Sequence, residues 1–255
     1  MNQFSHLNGK YTKISTSAYN KKMLVISMFF AFSITGCSTL PKHKTEYLAQ
    51  PTTTIDTSQT SLAQMIEPLQ KQHEGLTGYH VLFEPLEALA TRLRLIDRAE
   101  KTLDLQYYIW DNDKVGALAL HALIRAADRG VKIRLLIDDN NAKHTEGIFL
   151  ALAQHPNIEV KLFNPYRFRK HRSLDMVLDL KRINRRMHNK SFIADHQIAL
   201  IGGRNMTNQY YNVSDNYQFS DVDVMLFGTA VHEISDSFED YWNHEYAYDV
   251  REIVS

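Results

Sequence analysis

Between residues 84 and 163 the chain alternates helix-period and strand-like apolar segments, and that alternation leaves few folds open. Leu86, Leu89, Leu93 and Ile96 share one helical face across residues 84–101. Residues 103–110, Leu-Asp-Leu-Gln-Tyr-Tyr-Ile-Trp, are rich in side chains that suit a pleated sheet. A second helix is expected over 114–129, stopped by Gly130, then a strand over 131–137. A third helix over 145–155 closes at Pro156, and a third strand spans 158–163. Strands that alternate with helices pair in parallel, with the helices packed on the sheet. The fold class is therefore α/β.

Further on, residues 190–194 and 197–201 are expected to form a hairpin over Asp195 and His196. Another strand is expected over 219–227, closed by Gly228. A helix over 230–243 follows, with Val231, Ile234, Phe238 and Trp242 on one face. The hairpin adds antiparallel pairs, so the central sheet is mixed and flanked by helices.

Residues 188–205 concentrate the chemistry. They hold H-x-K-x-x-x-x-D (His188, Lys190, Asp195), an apolar run and then Gly202-Gly203-Arg204-Asn205. On a strand, alternation puts His188 and Lys190 on one face, where an imidazole and an ammonium can address a single anionic group. A phosphodiester is such a group: its oxygens accept charge and donors, and its phosphorus accepts a nitrogen nucleophile. Between Lys161 and Lys190 stand ten Lys/Arg and two acids, Asp175 and Asp179. The run reads as a solvated basic face or as an electropositive funnel into His188. Formal net charge is zero, so any positive field is local.

The amino-terminal segment reads differently. Lys21 and Lys22 precede a short apolar run, and Ile34-Thr35-Gly36-Cys37 follows. This has the form of a bacterial lipoprotein signal, and Cys37 is the only cysteine. Residues 1–36 are then a signal peptide, and Cys37 is the acylated first residue. Ser38 next to it suits an outer-membrane destination facing the periplasm. Residues 37–78, rich in Thr, Ser, Gln and Pro, read as a flexible tether, with a short helix over 65–72. The lobe with the motif occupies 79–250.

The joint pattern resembles the phospholipase D superfamily, most closely bacterial cardiolipin synthases of the C type. The residues that carry it are Gln106-Tyr107-Tyr108-Ile109-Trp110, Asp138-Asp139-Asn140, Arg185-Arg186-Met187-His188-Asn189-Lys190, Gly202-Gly203-Arg204-Asn205 and Phe219-Ser220-Asp221-Val222-Asp223. The resemblance implies a phospholipase D-like lobe that acts on phospholipid phosphodiesters as a phosphatidyltransferase. His188 is the implied nucleophile, forming a phosphohistidine, and Lys190 the implied phosphate cation. An imidazole nucleophile needs its other N–H held. Asp221 or Asp223 could do so, and the family pattern favours Asp221. Asn205, Gly203 and Arg204 are candidate substrate-binding residues. Asp195 is grouped with the catalytic set, although a hairpin corner also suits a structural acceptor of backbone N–H groups.

No cofactor is implied. The twelve histidines show no metal-ligand spacing, and Asp138 and Asp139 read as helix-capping acids, outside the site. The family uses two histidines from two motif copies, and this chain carries one H-x-K. A truncated two-lobed enzyme is the favoured expectation. The alternatives are a homodimeric endonuclease, for which nucleic acid is the partner, and an inactive headgroup-binding half-domain.

Overall fold

The computed structural model describes residues 40–43 and 52–254. The leader and Cys37 lie outside the described residues. The chain divides into two compact units, Met1–Leu40 and Pro41–Ser255, and the second carries the motif.

An eight-stranded sheet forms the centre of that unit. Its strands are β1 (Thr77–Leu82), β2 (Thr102–Tyr107), β3 (Lys132–Asp138), β4 (Ile158–Phe163), β5 (Ser191–Ala194), β6 (Ile198–Gly202), β7 (Asp223–Gly228) and β8 (Ala247–Asp249). The spatial order is β1-β7-β6-β5-β2-β3-β4-β8. β2, β3 and β4 pair in parallel, and every other pairing is antiparallel. The sheet is therefore mixed, as the sequence implies. Gln106 lies opposite Ser191, which sets the entry to β5 beside the exit of β2.

Alternation along the strands assigns the two faces. Leu103, Leu105, Ile133, Leu135, Ile137, Phe192 and Leu200 join a core with α2 (Pro85–Arg98), α3 (Lys114–Asp128) and α4 (Glu146–Leu152). Leu136, Ile193 and Ala199 point the other way, against Val231, Phe238 and Trp242 of α7 (Thr229–Trp242). Each fully buried large apolar side chain contributes roughly 1.5–3 kcal/mol. Asp113 caps α3 by accepting from the Gly116 N–H at 2.9 Å, and its other oxygen accepts from the Asn208 N–H. One carboxylate thus fixes a helix start and the loop after β6.

The face under α7 also buries an ion pair. Arg134 reaches Asp104 at 2.7 Å and Glu239 at 2.7 Å, with its guanidinium 4.8 Å from the Phe238 ring centre. Thr52 donates to Asp104 and accepts from Arg134. Residues expected in the tether are therefore part of the domain from Thr52 onward. α1 (Ser61–Gln72) follows, capped by Thr60, and buries Leu62 and Ile66 in the main core. The structure also adds β1, β8, and the helices α5 (Arg172–Leu178), α6 (Leu180–Ile183) and α8 (Val250–Ile253). None of these has a clear period in the sequence, because each is short and held by its neighbours. Among the described residues no helix is long and apolar enough to cross a membrane.

Candidate active site

The site residues gather at the edge of the sheet where the parallel strands β2 and β3 end. In α/β sheets this edge gathers strand-to-helix loops, so side chains from distant segments converge there. Tyr108 follows β2, and its ring stacks on His188 at 4.1 Å between centroids, 28° from parallel. Lys190 Nζ lies 5.6 Å from the centre of the same ring and donates to the His188 carbonyl at 2.7 Å. Imidazole and ammonium therefore share one aromatic ring. His188 itself is exposed.

The backbone just before His188 is clamped. Asp138, at the end of β3, accepts from the Met187 N–H at 2.8 Å and pairs with Arg186 at 3.1 Å. Arg186 also donates to the Ile183 and Asn164 carbonyls. Burial pushes the Asp138 carboxyl up, while Arg186 and the N–H groups of Met187 and Asn140 pull it down. Tyr108 is held in turn: Asn140 donates to its hydroxyl at 3.0 Å and accepts from Tyr166 at 2.7 Å. Asp138, Asn140 and Tyr108 thus orient the motif, although the sequence pattern has Asp138 and its neighbour Asp139 as helix-capping acids outside the site. Their place at the carboxyl end of a parallel strand is the signal that would have found them.

The remaining predicted residues separate into two groups. Asp221 lies against Gly203, where an added Cβ would fall 2.1 Å from both carboxylate oxygens. A Cβ on Gly202 would meet the Val222 carbonyl at 2.6 Å and Asp223 at 2.1 Å. The diglycine is there so that the two acids can approach the backbone. Burial lowers the Lys190 pKa, and the Asp221 carboxylate opposes that shift. Asp221 therefore sits within electrostatic reach of Lys190. Among the described residues no hydrogen bond joins it to the His188 ring; the contact on that ring is Tyr108. Asn205 is buried, accepting from the Ile109 N–H at 3.0 Å and donating to the Tyr210 hydroxyl at 3.1 Å. It links the loop after β6 to the segment carrying Tyr108.

Asp195 and Arg204 are elsewhere. Asp195 ends β5 at the opposite edge, with φ +49°, and accepts from the N–H groups of Glu100, Lys101 and Thr102. Four strand residues at about 3.3 Å each keep it more than about 13 Å from the motif histidine. Its carboxylate closes a loop. Arg204 is buried, donating to the Leu82 and Phe83 carbonyls and pairing with Asp223, which Arg92 also holds at 2.9 Å. It is neither a pocket cation nor a surface residue, and Asp223 is committed to the two arginines.

The basic run changes meaning as well. Arg167, Arg169, Arg172, Arg182 and Arg186 all pair with acids, including Asp138, Asp139 and Glu146, which lie outside the run. Lys170, Lys181 and Arg185 remain exposed. Beside Lys190 a cleft of about 510 Å³ opens, lined by Gln106, Ser191, Gly202, Glu233 and Ser237 among others. Among the described residues no group of three or more His, Cys, Asp or Glu could hold a metal ion.

Residues 93–242 match the family model described as cardiolipin synthase, PLD-like domain. The chain belongs to this family. The PLD-like lobe is 48% identical over 181 residues to cardiolipin synthase C of Escherichia coli (strain K12), covering 71% of this chain and 38% of that protein. It is 31% identical to the major cardiolipin synthase of Bacillus subtilis (strain 168), over 58% of this chain and 29% of that one. The chain thus spans well under half the length of these curated relatives. Among solved structures, the phosphatidylserine synthase of Haemophilus influenzae Rd KW20 shares the PLD-like fold. Its TM-score is 0.53 at 15% identity, over 74% of this chain and 43% of that one.

Proposed function

We propose that the PLD-like lobe transfers phosphatidyl groups between alcohols, as a cardiolipin synthase does, through a phosphohistidine on His188. The observation that carries the reading is the shared ring of Tyr108, which sets the His188 imidazole and the Lys190 ammonium side by side. In the first step a His188 ring nitrogen attacks phosphorus, and the P–O bond to the leaving alcohol breaks. The leaving alkoxide takes a proton from a general acid. In the second step an acceptor alcohol attacks phosphorus, gives its proton to that group, and the N–P bond breaks.

Lys190 holds a non-bridging oxygen as a point charge while charge shifts on the phosphoryl group. Asp221 keeps that ammonium protonated. A second H-x-K histidine, in another lobe or another copy of the chain, is the proposed acid and base. Acylation at Cys37 in the bacterial envelope, at the periplasmic side of the outer membrane, belongs to the same proposal, and incorporation of labelled palmitate lost in Cys37→Ser tests it.

The test of the chemistry is incubation with phosphatidylglycerol labelled on phosphorus, quenched in alkali, where phosphohistidine survives. Label on the protein, absent from His188→Ala, is the expected result. Product formation without any protein-bound label would overturn the covalent step. Plasmid nicking in place of lipid turnover would move the substrate to nucleic acid.

A further inference from the structure

The segment from α5 to α6 is inside out. Its inward residues are charged apart from Ile183: Asp175 is fully buried, accepting from the Phe168 N–H at 2.8 Å, with Arg182 beside it at 3.5 Å. Asp179 pairs with Arg182 at 2.7 Å and Arg167 at 3.2 Å. Its outward residues are apolar: Leu174, Met176, Val177, Leu178 and Leu180 range from 44% to 81% exposed, with Val177 the highest. A helix that lies on an ordinary soluble surface has the reverse arrangement. The polar underside is what holds the apolar side out. Arg182 donates to the side-chain oxygen of Asn164 and the carbonyl of Pro165, so the segment is tied to the loop after β4.

We infer that this apolar cap is the surface by which the lobe seats on a phospholipid bilayer carrying anionic headgroups. Charge complementarity selects that occupant. The exposed cations Lys170, Lys181 and Arg185 flank the cap, and among the described residues none of them pairs with an acid. Cations around an apolar projection place ammonium and guanidinium groups at phosphate depth while the apolar tips enter the acyl boundary. Five exposed large apolar side chains within positions 174–180 mark an interaction surface. The cap also ends four residues before Met187, so a bilayer touching it lies at the edge where His188 is exposed and Lys190 is half-buried. The inference deepens the proposed function by naming how substrate reaches the site, and it rests on phospholipid being that substrate.

The test is hydrogen–deuterium exchange of the full chain with and without vesicles of phosphatidylglycerol and phosphatidylcholine, read on peptides covering 172–183. Slower exchange there with vesicles, stronger than with phosphatidylcholine alone, is expected. Val177→Asp with Leu180→Asp should remove that protection at 172–183, a reading at the cap itself that an acyl chain on Cys37 does not supply. Both side chains are exposed, so the fold should be kept, checked by circular dichroism. His188→Ala should keep the vesicle protection. Unchanged exchange at 172–183 with vesicles, or protection kept there in the double variant, overturns the inference. So does protection that rises with protein concentration and ignores vesicles, which would assign the cap to a second copy. Turnover of bis(p-nitrophenyl) phosphate without vesicle protection rejects the bilayer surface and leaves the His188 chemistry standing.

Discussion

Asp138 accepts a hydrogen bond from the backbone N–H of Met187 at 2.8 Å, so the end of β3 holds the residue immediately before the motif histidine. The same carboxylate takes Arg186, and the next turn of chain takes Tyr108 through Asn140. The position of the imidazole is set from two strands at once. Asp138→Asn keeps the shape and removes the charge, leaving a buried guanidinium short of its partner. Unfolding free energy should drop by about 3 kcal/mol, and kcat should drop more than KM rises, measured by thermal melts and steady-state kinetics.

The alkaline limb of the pH profile should report Lys190. Burial lowers its pKa and Asp221 opposes the lowering. The ammonium is then lost below the ordinary lysine range, and activity that needs it falls there. Asp221→Asn removes the opposing charge, so the limb of kcat/KM should move to lower pH. A limb that stays fixed would mean that Asp221 does not act on Lys190.

Gly202 and Gly203 should fail in different ways. The atoms nearest a Cβ at Gly203 are those of the Asp221 carboxylate, which can rotate away. Gly203→Ala should therefore lose activity with a small change in melting temperature. At Gly202 the clash includes the Val222 carbonyl, so Gly202→Ala should cost about 1–3 kcal/mol of stability.

Asp195→Ala should separate fold from chemistry. Three backbone N–H groups lose a charged acceptor, costing about 2–4 kcal/mol. The kcat of the folded fraction should stay within about threefold of wild type, since the carboxylate lies at the far edge of the sheet.

His196 gives a stability signature in acid. Burial lowers its pKa, with Asp104 opposing. The unfolded chain then binds the proton more readily than the folded one, so stability rises with pH across that window. The contribution is complete above about pH 6.5 and is lost as pH falls toward the folded value. Melting temperatures between about pH 7.5 and 5 should slope less steeply in His196→Asn than in wild type.

Residue periods and motif spacing by themselves determined the α/β class, the strands β2, β3 and β4, and the hairpin around Asp195, whereas His188 and Lys190 precede β5, off the strand whose alternation was to pair them, and meet on the ring of Tyr108. These features depend on side chains a few positions apart, and such neighbours impose their geometry locally. Tertiary structure decided the rest. Asp138 and Asn140 joined the site because parallel strands end together. Arg204 and most of the basic run left it because their counter-ions come from distant segments. Asp195 stayed with the fold because a strand separates it from the histidine. Which charge meets which carboxylate is a property of the packed sheet, since the energy of an ion pair follows distance in space, which the order of residues along the chain does not specify.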